Sequence, residues 1–472
     1  MSLTARIARN TFVQVIGKAS AVLFAAVSIG VLTRYLGTTG YGEYTTILAF
    51  VEFFGILADL GLYIIAVKKI SETKDDSGEI FNNIFTLRVV SAIFFVGLAP
   101  LLVLFFPYPH VVKVGVALVT VSNLFVTLNQ LLAGLFQRHL AMGRVALAEV
   151  VGKTGFLALI IVAAAQRWSI YPILGASVLG GTVQFFVLLV LARKFVRIRL
   201  RYNGILWAQI LKESWPIAIS IALNLIYFRA DTIILSLFHP AATVGLYGAS
   251  YKVLTVLIGF PAMFAGLVLP LLTQHYAATD MERFRSVLQK AFDFLAMVAL
   301  PMVGGIFVLA HPIMTLIAGN EFAASGSILR VLIFATGSIF LGNLFGNTVV
   351  AVGRQRKMIW VYCCVAAGSL IGYLATIPRF GVWGASGMTV ATELAITVGS
   401  FLVVRRATHI GLSLRLPLKS LAAALVMSLA LLLLRQAGLP VAIVAGVLVY
   451  GATLLLVKGI NREMIRSVLR MT

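Results

Sequence analysis

The sequence predicts an all-α polytopic membrane protein with about fourteen transmembrane helices. Of its 472 residues, 60% are hydrophobic and 11% are charged, and the mean hydropathy is +1.01. An ordinary soluble domain has about 25% charged residues. The apolar residues also fall into runs of about the 20 residues that a helix needs to cross a bilayer. The first run, Thr11 to Leu36, is too long for a cleavable signal peptide, so we expect it to remain as a span.

The apolar runs define the predicted spans in chain order. They cover residues 11–36, 44–67, 84–106, 111–136, 145–165, 170–192, 214–238, 243–272, 291–317, 325–352, 358–377, 382–404, 418–434 and 440–457. Pro261 predicts a kink in span 8, because proline removes a helix hydrogen bond.

Basic residues are distributed unevenly over the connections between these spans. One set of alternate connections holds 27 of the 38 Lys and Arg residues, and the other set holds 5. Cytoplasmic loops carry such an excess. We therefore predict a multi-pass protein of the cell inner membrane with cytoplasmic N- and C-termini. The net charge of +22 then reflects topology and contact with membrane lipids rather than nucleic-acid binding.

Short motifs recur in the two halves of the chain. Gly40-Tyr41-Gly42-Glu43-Tyr44 after span 1 resembles Val244-Gly245-Leu246-Tyr247 after span 7, and Leu174-Gly175-Ala176-Ser177 in span 6 resembles Trp383-Gly384-Ala385-Ser386 in span 12. Six spans per repeat is an even number, so two six-helix lobes would be related by a pseudo-two-fold axis along the membrane normal. The predicted domains are an N-terminal lobe at 1–200, a cytoplasmic linker at 201–213, a C-terminal lobe at 214–408, and two further helices with a basic cytoplasmic tail at 409–472.

Span 7 carries two charged residues, Arg229 and Asp231. A charge near the centre of a span costs about 2.5 to 3.5 kcal/mol on insertion scales, so it is expected to face a wet cavity or a partner. The two residues are two positions apart and point to different sides of a helix. Each therefore needs a partner outside its own helix.

Span 2 carries two acids, Glu52 and Asp59, seven residues apart. This spacing places them on nearly one helical face, which Tyr63 continues. We interpret the stripe as a cavity wall or a proton-relay face. The alternative is a pair of structural acids that are hydrogen-bonded to neighbouring spans.

Three further charged residues lie deep in predicted spans. Lys18 lies about 12 Å inside span 1 at helical rise. Lys252 has a similar depth in span 8, and Glu393 lies near the middle of span 12. They are weaker site candidates, and the alternative for Lys18 is that its ammonium group snorkels to the membrane surface.

The remaining charged span residues are assigned structural roles. Glu149 and Lys153 are four residues apart with the acid first, which predicts an ion pair within one helix. Arg88, Asp293 and Arg330 lie within two turns of a predicted span end, so their side chains are expected to snorkel.

Catalytic and metal-binding motifs are not found in the sequence. Gly152-Lys153-Thr154 lacks the glycine that a phosphate loop needs five positions earlier, where Leu147 stands. Cys363 and Cys364 are adjacent and give neither a disulfide framework nor a metal spacing. We therefore predict no catalytic residues, no metal site and no cofactor. Transport would use an ion gradient, with H⁺ or Na⁺ as coupling ion, the membrane potential or the substrate gradient.

Three stretches near the N-terminus and one in span 7 carry a family resemblance. Leu32-Thr33-Arg34-Tyr35-Leu36-Gly37, Gly40-Tyr41-Gly42-Glu43-Tyr44 and Leu57-Ala58-Asp59-Leu60-Gly61-Leu62 resemble the opening of Wzx-type polysaccharide flippases. Asp231-Thr232-Ile233-Ile234-Leu235, followed by Val244-Gly245-Leu246-Tyr247, is similar to the stretch around their seventh span. These flippases belong to the multidrug/oligosaccharidyl-lipid/polysaccharide exporter superfamily.

The resemblance implies a carrier of undecaprenyl-pyrophosphate-linked oligosaccharide that works by alternating access. Cations of a central cavity would bind the pyrophosphate. The candidate cations are Arg229, Lys252 and Lys18, and the candidate cavity or ion-coupling acids are Asp59, Asp231, Glu52 and Glu393. Expected partners are the lipid-linked substrate, membrane lipids, and the polymerase and glycosyltransferases of the same pathway.

Three alternative functions remain open at this point. The first is a multidrug or toxin cation antiporter of the same superfamily, in which the acids would bind a cationic drug. The second is a lipid II flippase. The third is a membrane enzyme such as a glycosyltransferase or ligase, which the short connections disfavour because a catalytic site needs a rigid scaffold of some size.

Overall fold

The computed structural model describes residues 3–72, 77–139, 141–434 and 438–459. These residues are overwhelmingly helical and include no strand, so the predicted all-α class is confirmed for them. The helices are α1 (Leu3–Leu57), α2 (Leu62–Glu72), α3 (Ser77–Leu102), α4 (His110–Arg138), α5 (Met142–Ala165), α6 (Ile170–Ala192), α7 (Gly204–Phe238), α8 (Ala241–Leu257), α9 (Gly259–Ala277), α10 (Met281–Ala318), α11 (Ser325–Ala351), α12 (Gln355–Phe380), α13 (Val382–Thr408), α14 (Arg415–Leu433) and α15 (Leu439–Leu456). Short 3₁₀ helices at Val103–Phe105 and Asn320–Phe322 follow α3 and α10.

The helices agree with the predicted spans. Over the described ranges, twelve helical stretches are long and apolar enough to cross a membrane, and α1 with α2 forms a bent pair that raises the number to thirteen. The twelve correspond one by one to predicted spans 3 to 14, and spans 1 and 2 fall in α1 and α2. The predicted number of about fourteen is therefore close to the observed one.

Large apolar side chains cover the outside of many helices. Leu433 on α14 and Leu456 on α15 are 87% and 83% exposed, and many other Leu, Val and Phe side chains are exposed as well. Soluble proteins rarely expose apolar area on this scale. Together with the apolar helices, this surface identifies a multi-pass membrane protein.

One helix break separates predicted spans 1 and 2, and two more lie inside predicted spans 2 and 8. The helical path of α1 is broken at Gly37, whose φ of 63° favours glycine. Between α1 and α2, Leu60 and Gly61 have positive φ values of 47° and 73°, and the two helices are bent by 43°. In span 8, α8 and α9 are separated only by Ile258, three residues before Pro261, and together they form one continuous candidate span, Ala241–Ala277.

The chain divides into two compact units, Met1–Gly245 and Leu246–Thr472, with the boundary inside α8. These units are groups of helices in contact, whereas the predicted lobes are groups related by a sequence repeat. The lobe boundaries at 200, 214 and 408 remain a prediction.

The core of the first unit is built from α2, α3, α4 and α6. It contains Leu62, Phe81, Leu132 and Leu188, which are fully or almost fully buried. Ile210 from the start of α7 joins the same cluster. Helix α7 begins at an Asn203 cap whose side chain accepts hydrogen bonds from the backbone N–H groups of the next turn. The membrane-spanning part of α7 is thus anchored at its start.

The core of the second unit is formed mainly by α9, α10 and α11. The two C-terminal helices pack on α10 through a smaller cluster that includes Leu309, Met427 and Ala442. The hydroxyl of Tyr450 on α15 donates a 2.8 Å hydrogen bond to the carbonyl oxygen of Met297. The last two spans are therefore part of the second unit.

Candidate functional site

Two predicted site residues from different helices form an ion pair. Nη2 of Arg229 on α7 lies 2.6 Å from Oε2 of Glu52 on α1, within the first unit. The Arg229 and Glu52 side chains are 22% and 35% exposed. The guanidinium carbon of Arg229 also lies 5.8 Å from the ring centroid of Phe228, and Arg229 has further contacts. The pair satisfies a charge in the middle of an apolar span and leaves part of both groups accessible.

Contacts at both ends of α7 position Arg229. Near the C-terminal end of α7, the hydroxyls of Ser236 and Tyr108 are 2.7 Å apart. Near the N-terminal end of α7, Nζ of Lys69 on α2 lies 2.6 Å from Oε1 of Glu213. The hydrogen bond from Lys69 lowers the pKa of Glu213, and the positive charges of Lys69 and Lys68 act in the same direction. Helix α7 is therefore held against α2 at one end and against the segment before α4 at the other.

A second ion pair lies at the break between α1 and α2. Nη1 of Arg88 on α3 lies 2.5 Å from Asp59, with side-chain exposures of 1% and 17%. Arg88 also donates to the carbonyl oxygens of Ala58 and Thr127 and to Oε1 of Gln130. A helix that ends inside an apolar region leaves carbonyl groups that need donors. Arg88 supplies donors at that end.

These contacts correct two expectations. Asp59 does not share a helical stripe with Glu52 and Tyr63, because α1 ends at Leu57 and the backbone turns through Leu60 and Gly61 before α2 begins. Arg88 does not snorkel, because its side chain is fully buried and bonded at several atoms. The expected pair of Glu149 and Lys153 does form, at 2.7 Å.

The other predicted site residues lie elsewhere. Asp231 is buried on α7, and its Oδ1 accepts hydrogen bonds from the backbone N–H and the hydroxyl of Thr232 at 2.6 and 3.1 Å. In the second unit, Lys252 on α8 is exposed and Glu393 on α13 is buried. Both have contacts of their own. Lys18 belongs to α1, and its side chain lies outside the described part of the chain. The structure thus brings Glu52 and Arg229 together.

A metal site is not found among the residues that the structure describes. No group of three or more His, Cys, Asp or Glu side chains there is arranged to hold an ion. The chemistry of the described polar groups is instead that of charge pairing, with guanidinium groups that bind oxygen anions.

Comparison with models of known protein families assigns the chain to a family. A family model described as "Polysaccharide biosynthesis protein" matches residues 7–275, which is more than half of the chain. The chain belongs to this family. A second model, MatE, matches residues 216–375. The Glu52 and Arg229 pair and the Asp59 and Arg88 pair both lie inside the stretch that the first model covers.

Individual proteins similar to this family member include two transporters. A protein of Haloferax volcanii, AglR, described as a candidate flippase, is 24% identical over 38% of this chain, which spans 37% of that protein's length. A candidate O-antigen transporter of Shigella flexneri is 22% identical over 80% of this chain and 93% of its own length. Among solved structures, the lipid II flippase MurJ in an inward-closed conformation has a TM-score of 0.76 at 12% identity, over 94% of this chain and 97% of that one. This last likeness shows a shared fold.

Arg88 was missed as a partner of a predicted site residue. Predicted span 3 begins at residue 84, whereas α3 begins at Ser77. Arg88 therefore lies three turns inside a helix instead of near its end. The signal for the break was present in Asp59-Leu60-Gly61, since Asp and Gly two positions apart favour a turn.

Proposed function

We propose that the chain is a flippase that translocates undecaprenyl-pyrophosphate-linked oligosaccharide repeat units across the cytoplasmic membrane for surface polysaccharide assembly. The observation that carries the proposal is the partly exposed side chain of Arg229, in an apolar span of a polysaccharide biosynthesis family member. A guanidinium binds phosphate oxygens through charge-assisted, often bidentate hydrogen bonds. The relatives described as candidates for O-antigen transport and flipping support this choice of substrate.

The residues have distinct roles in this proposal. Arg229 is the principal ligand of the pyrophosphate, and Lys252 and Lys18 are further cationic ligands. Asp231 and Glu393 are the acids proposed to couple transport to H⁺ or Na⁺, because both are buried in apolar helices where a charge is costly. Asp59 is proposed to act through Arg88 on the break between α1 and α2 rather than on the substrate.

The distribution of basic residues in the sequence supports a membrane and an orientation for this activity. We propose the cell inner membrane with both termini cytoplasmic, where basic connections meet anionic headgroups. The chain moves its substrate without altering it chemically. The enzymes that make and consume lipid-linked oligosaccharide, glycosyltransferases and a polymerase, are its expected functional partners.

Export of polymer by variants tests the proposal. In a strain that depends on this chain for surface polysaccharide, Arg229→Ala at normal expression is expected to lower export at least tenfold, and Lys252→Ala is expected to lower it less. Lys153→Ala is the control, because Lys153 is paired with Glu149 on its own helix. Wild-type export by Arg229→Ala would show that the phosphate role is wrong.

A multidrug or toxin cation antiporter is the second candidate. The MatE model, which matches residues 216–375, favours it. In that case the acids would bind the cationic drug, and expression in an efflux-deficient host would confer drug resistance without any polymer phenotype. A lipid II flippase is a third candidate with the same chemistry at Arg229, and rescue of a strain depleted of its lipid II flippase would identify it.

A further inference from the structure

The two arginine and carboxylate pairs of the first unit differ in accessibility. Arg88 is 1% exposed, and it is bonded to two backbone carbonyl oxygens and Gln130 besides Asp59. Arg229 is 22% exposed, and its partner Glu52 is 35% exposed. Only the second pair has both members bordering accessible space. Part of each of these two side chains is therefore accessible, in contrast to the buried Arg88.

We propose that Glu52 is an internal counter-anion that competes with an isoprenoid diphosphate for Arg229 and thereby permits release of the ligand. This inference rests on the proposed function. Carboxylate and phosphate oxygens bind a guanidinium through the same N–H groups. Nη2 of Arg229 is already directed at Oε2 of Glu52, at 2.6 Å. A diphosphate oxygen that takes this N–H must displace Glu52, and Glu52 returns when the ligand leaves.

The competition has a calculable effect on affinity. When only a fraction of molecules is competent to bind, the apparent dissociation constant equals the intrinsic constant divided by that fraction. A pair that is closed about nine-tenths of the time therefore weakens binding about tenfold. Without the competitor, Arg229 would hold the diphosphate more tightly, and release would become slow. Glu52 thus favours turnover at the expense of affinity.

Binding of farnesyl diphosphate to the purified full-length chain in detergent tests this inference, with farnesol as the uncharged probe. Glu52→Gln retains the size of the side chain but removes its charge, so we expect about tenfold tighter binding of farnesyl diphosphate and no change with farnesol. Glu149→Gln is the matched control, because Glu149 is 36% exposed and is also paired with a cation, Lys153. Its binding should equal that of the wild type. The same Glu52→Gln chain should export polymer more slowly in cells.

Two further variants separate the inference from the proposed function. Arg229→Gln should lose binding, and the double variant Glu52→Gln/Arg229→Gln should bind no better than Arg229→Gln. Glu52→Asp, which keeps the charge on a shorter side chain, should give a smaller gain and covers the case in which Glu52→Gln does not fold. Equal or weaker binding by both Glu52 variants, with binding lost in Arg229→Gln, would overturn the inference alone. Wild-type binding by Arg229→Gln would overturn the phosphate site itself.

Discussion

Replacing Arg88 by alanine should destabilise the first unit by about 3 to 5 kcal/mol, the cost of removing one partner of a buried ion pair. The substitution leaves the carboxylate of Asp59, which is 17% exposed, without the cation that lies 2.5 Å from it. It also removes the donor to the carbonyl oxygens of Ala58 and Thr127 and to Gln130. Since these groups lie in an apolar helix bundle, water cannot readily replace the guanidinium.

The assay is equilibrium unfolding of the purified chain in mixed micelles with increasing sodium dodecyl sulfate. Lys153→Ala provides the comparison, because it also removes a cation from an ion pair within the first unit. That pair has exposures of 35% and 36%, and an exposed pair contributes about 0 to 1 kcal/mol. The two substitutions should therefore differ by at least about 2 kcal/mol.

A double variant distinguishes loss of charge pairing from loss of hydrogen bonds. Arg88→Leu combined with Asp59→Leu removes both charges, so it should be less destabilising than Arg88→Ala. It should still cost about 0.5 to 1.5 kcal/mol, because the carbonyl oxygen of Ala58 loses its guanidinium donor and keeps only the hydroxyl of Ser91, 2.9 Å away. If Arg88→Ala proved no more destabilising than Lys153→Ala, the assignment of Arg88 to the helix break would be refuted.

Two further predictions concern other contacts. Glu213→Gln should lower the thermal midpoint slightly at pH 7, where the ion pair with Lys69 is worth about 0 to 1 kcal/mol. The pKa of Glu213 is lowered in the folded chain, so the stabilisation by this ion pair is fully present above the ordinary glutamate pKa. It is lost as the pH falls through the lowered pKa, and the thermal midpoints of wild type and variant should therefore become equal in acid. Gly384→Ala should destabilise the second unit by about 1 to 3 kcal/mol, because its Cβ would lie 2.6 Å from the carbonyl oxygen of Thr376. Gly175→Ala, at the equivalent motif position with open space around it, should be tolerated. Equal thermal midpoints for these two alanine variants would contradict the close packing of α13 against α12 at Gly384.

Contacts within one helix could be predicted from the sequence, and contacts between helices could not. The ion pair of Glu149 and Lys153 follows from their spacing, since residues four apart face each other on any helix. The pair of Glu52 and Arg229 joins α1 to α7, and no spacing along the chain encodes it. The position of each residue inside a predicted span indicates a charge that needs a partner, but it does not identify that partner.

The stripe of Glu52, Asp59 and Tyr63 failed for a different reason. The stripe required an unbroken helix over the apolar run from residue 44 to 67, although Asp59-Leu60-Gly61 within that run favours a turn. A helix break costs unsatisfied carbonyl groups in an apolar environment, so it needs a donor from elsewhere in the chain. That donor is Arg88, 29 positions after Asp59. The turn signal at Asp59-Leu60-Gly61 indicates the break, but no spacing along the chain identifies Arg88 as a donor to it.

The contrast between the two arginines also limits how intramembrane charge can be used to locate a site. Arg88 and Arg229 have the same chemistry, lie in apolar helices and each face a carboxylate. Burial distinguishes the two arginines: the Arg88 side chain is fully buried and bonded at several atoms, whereas the Arg229 side chain is one-fifth exposed, which is why we propose a ligand for Arg229 alone. Removing the acid should consequently change a different property at each pair. Loss of the charge on Asp59 should mainly reduce stability, because Arg88 stays buried, while loss of the charge on Glu52 should mainly increase affinity for a diphosphate, because Arg229 remains accessible.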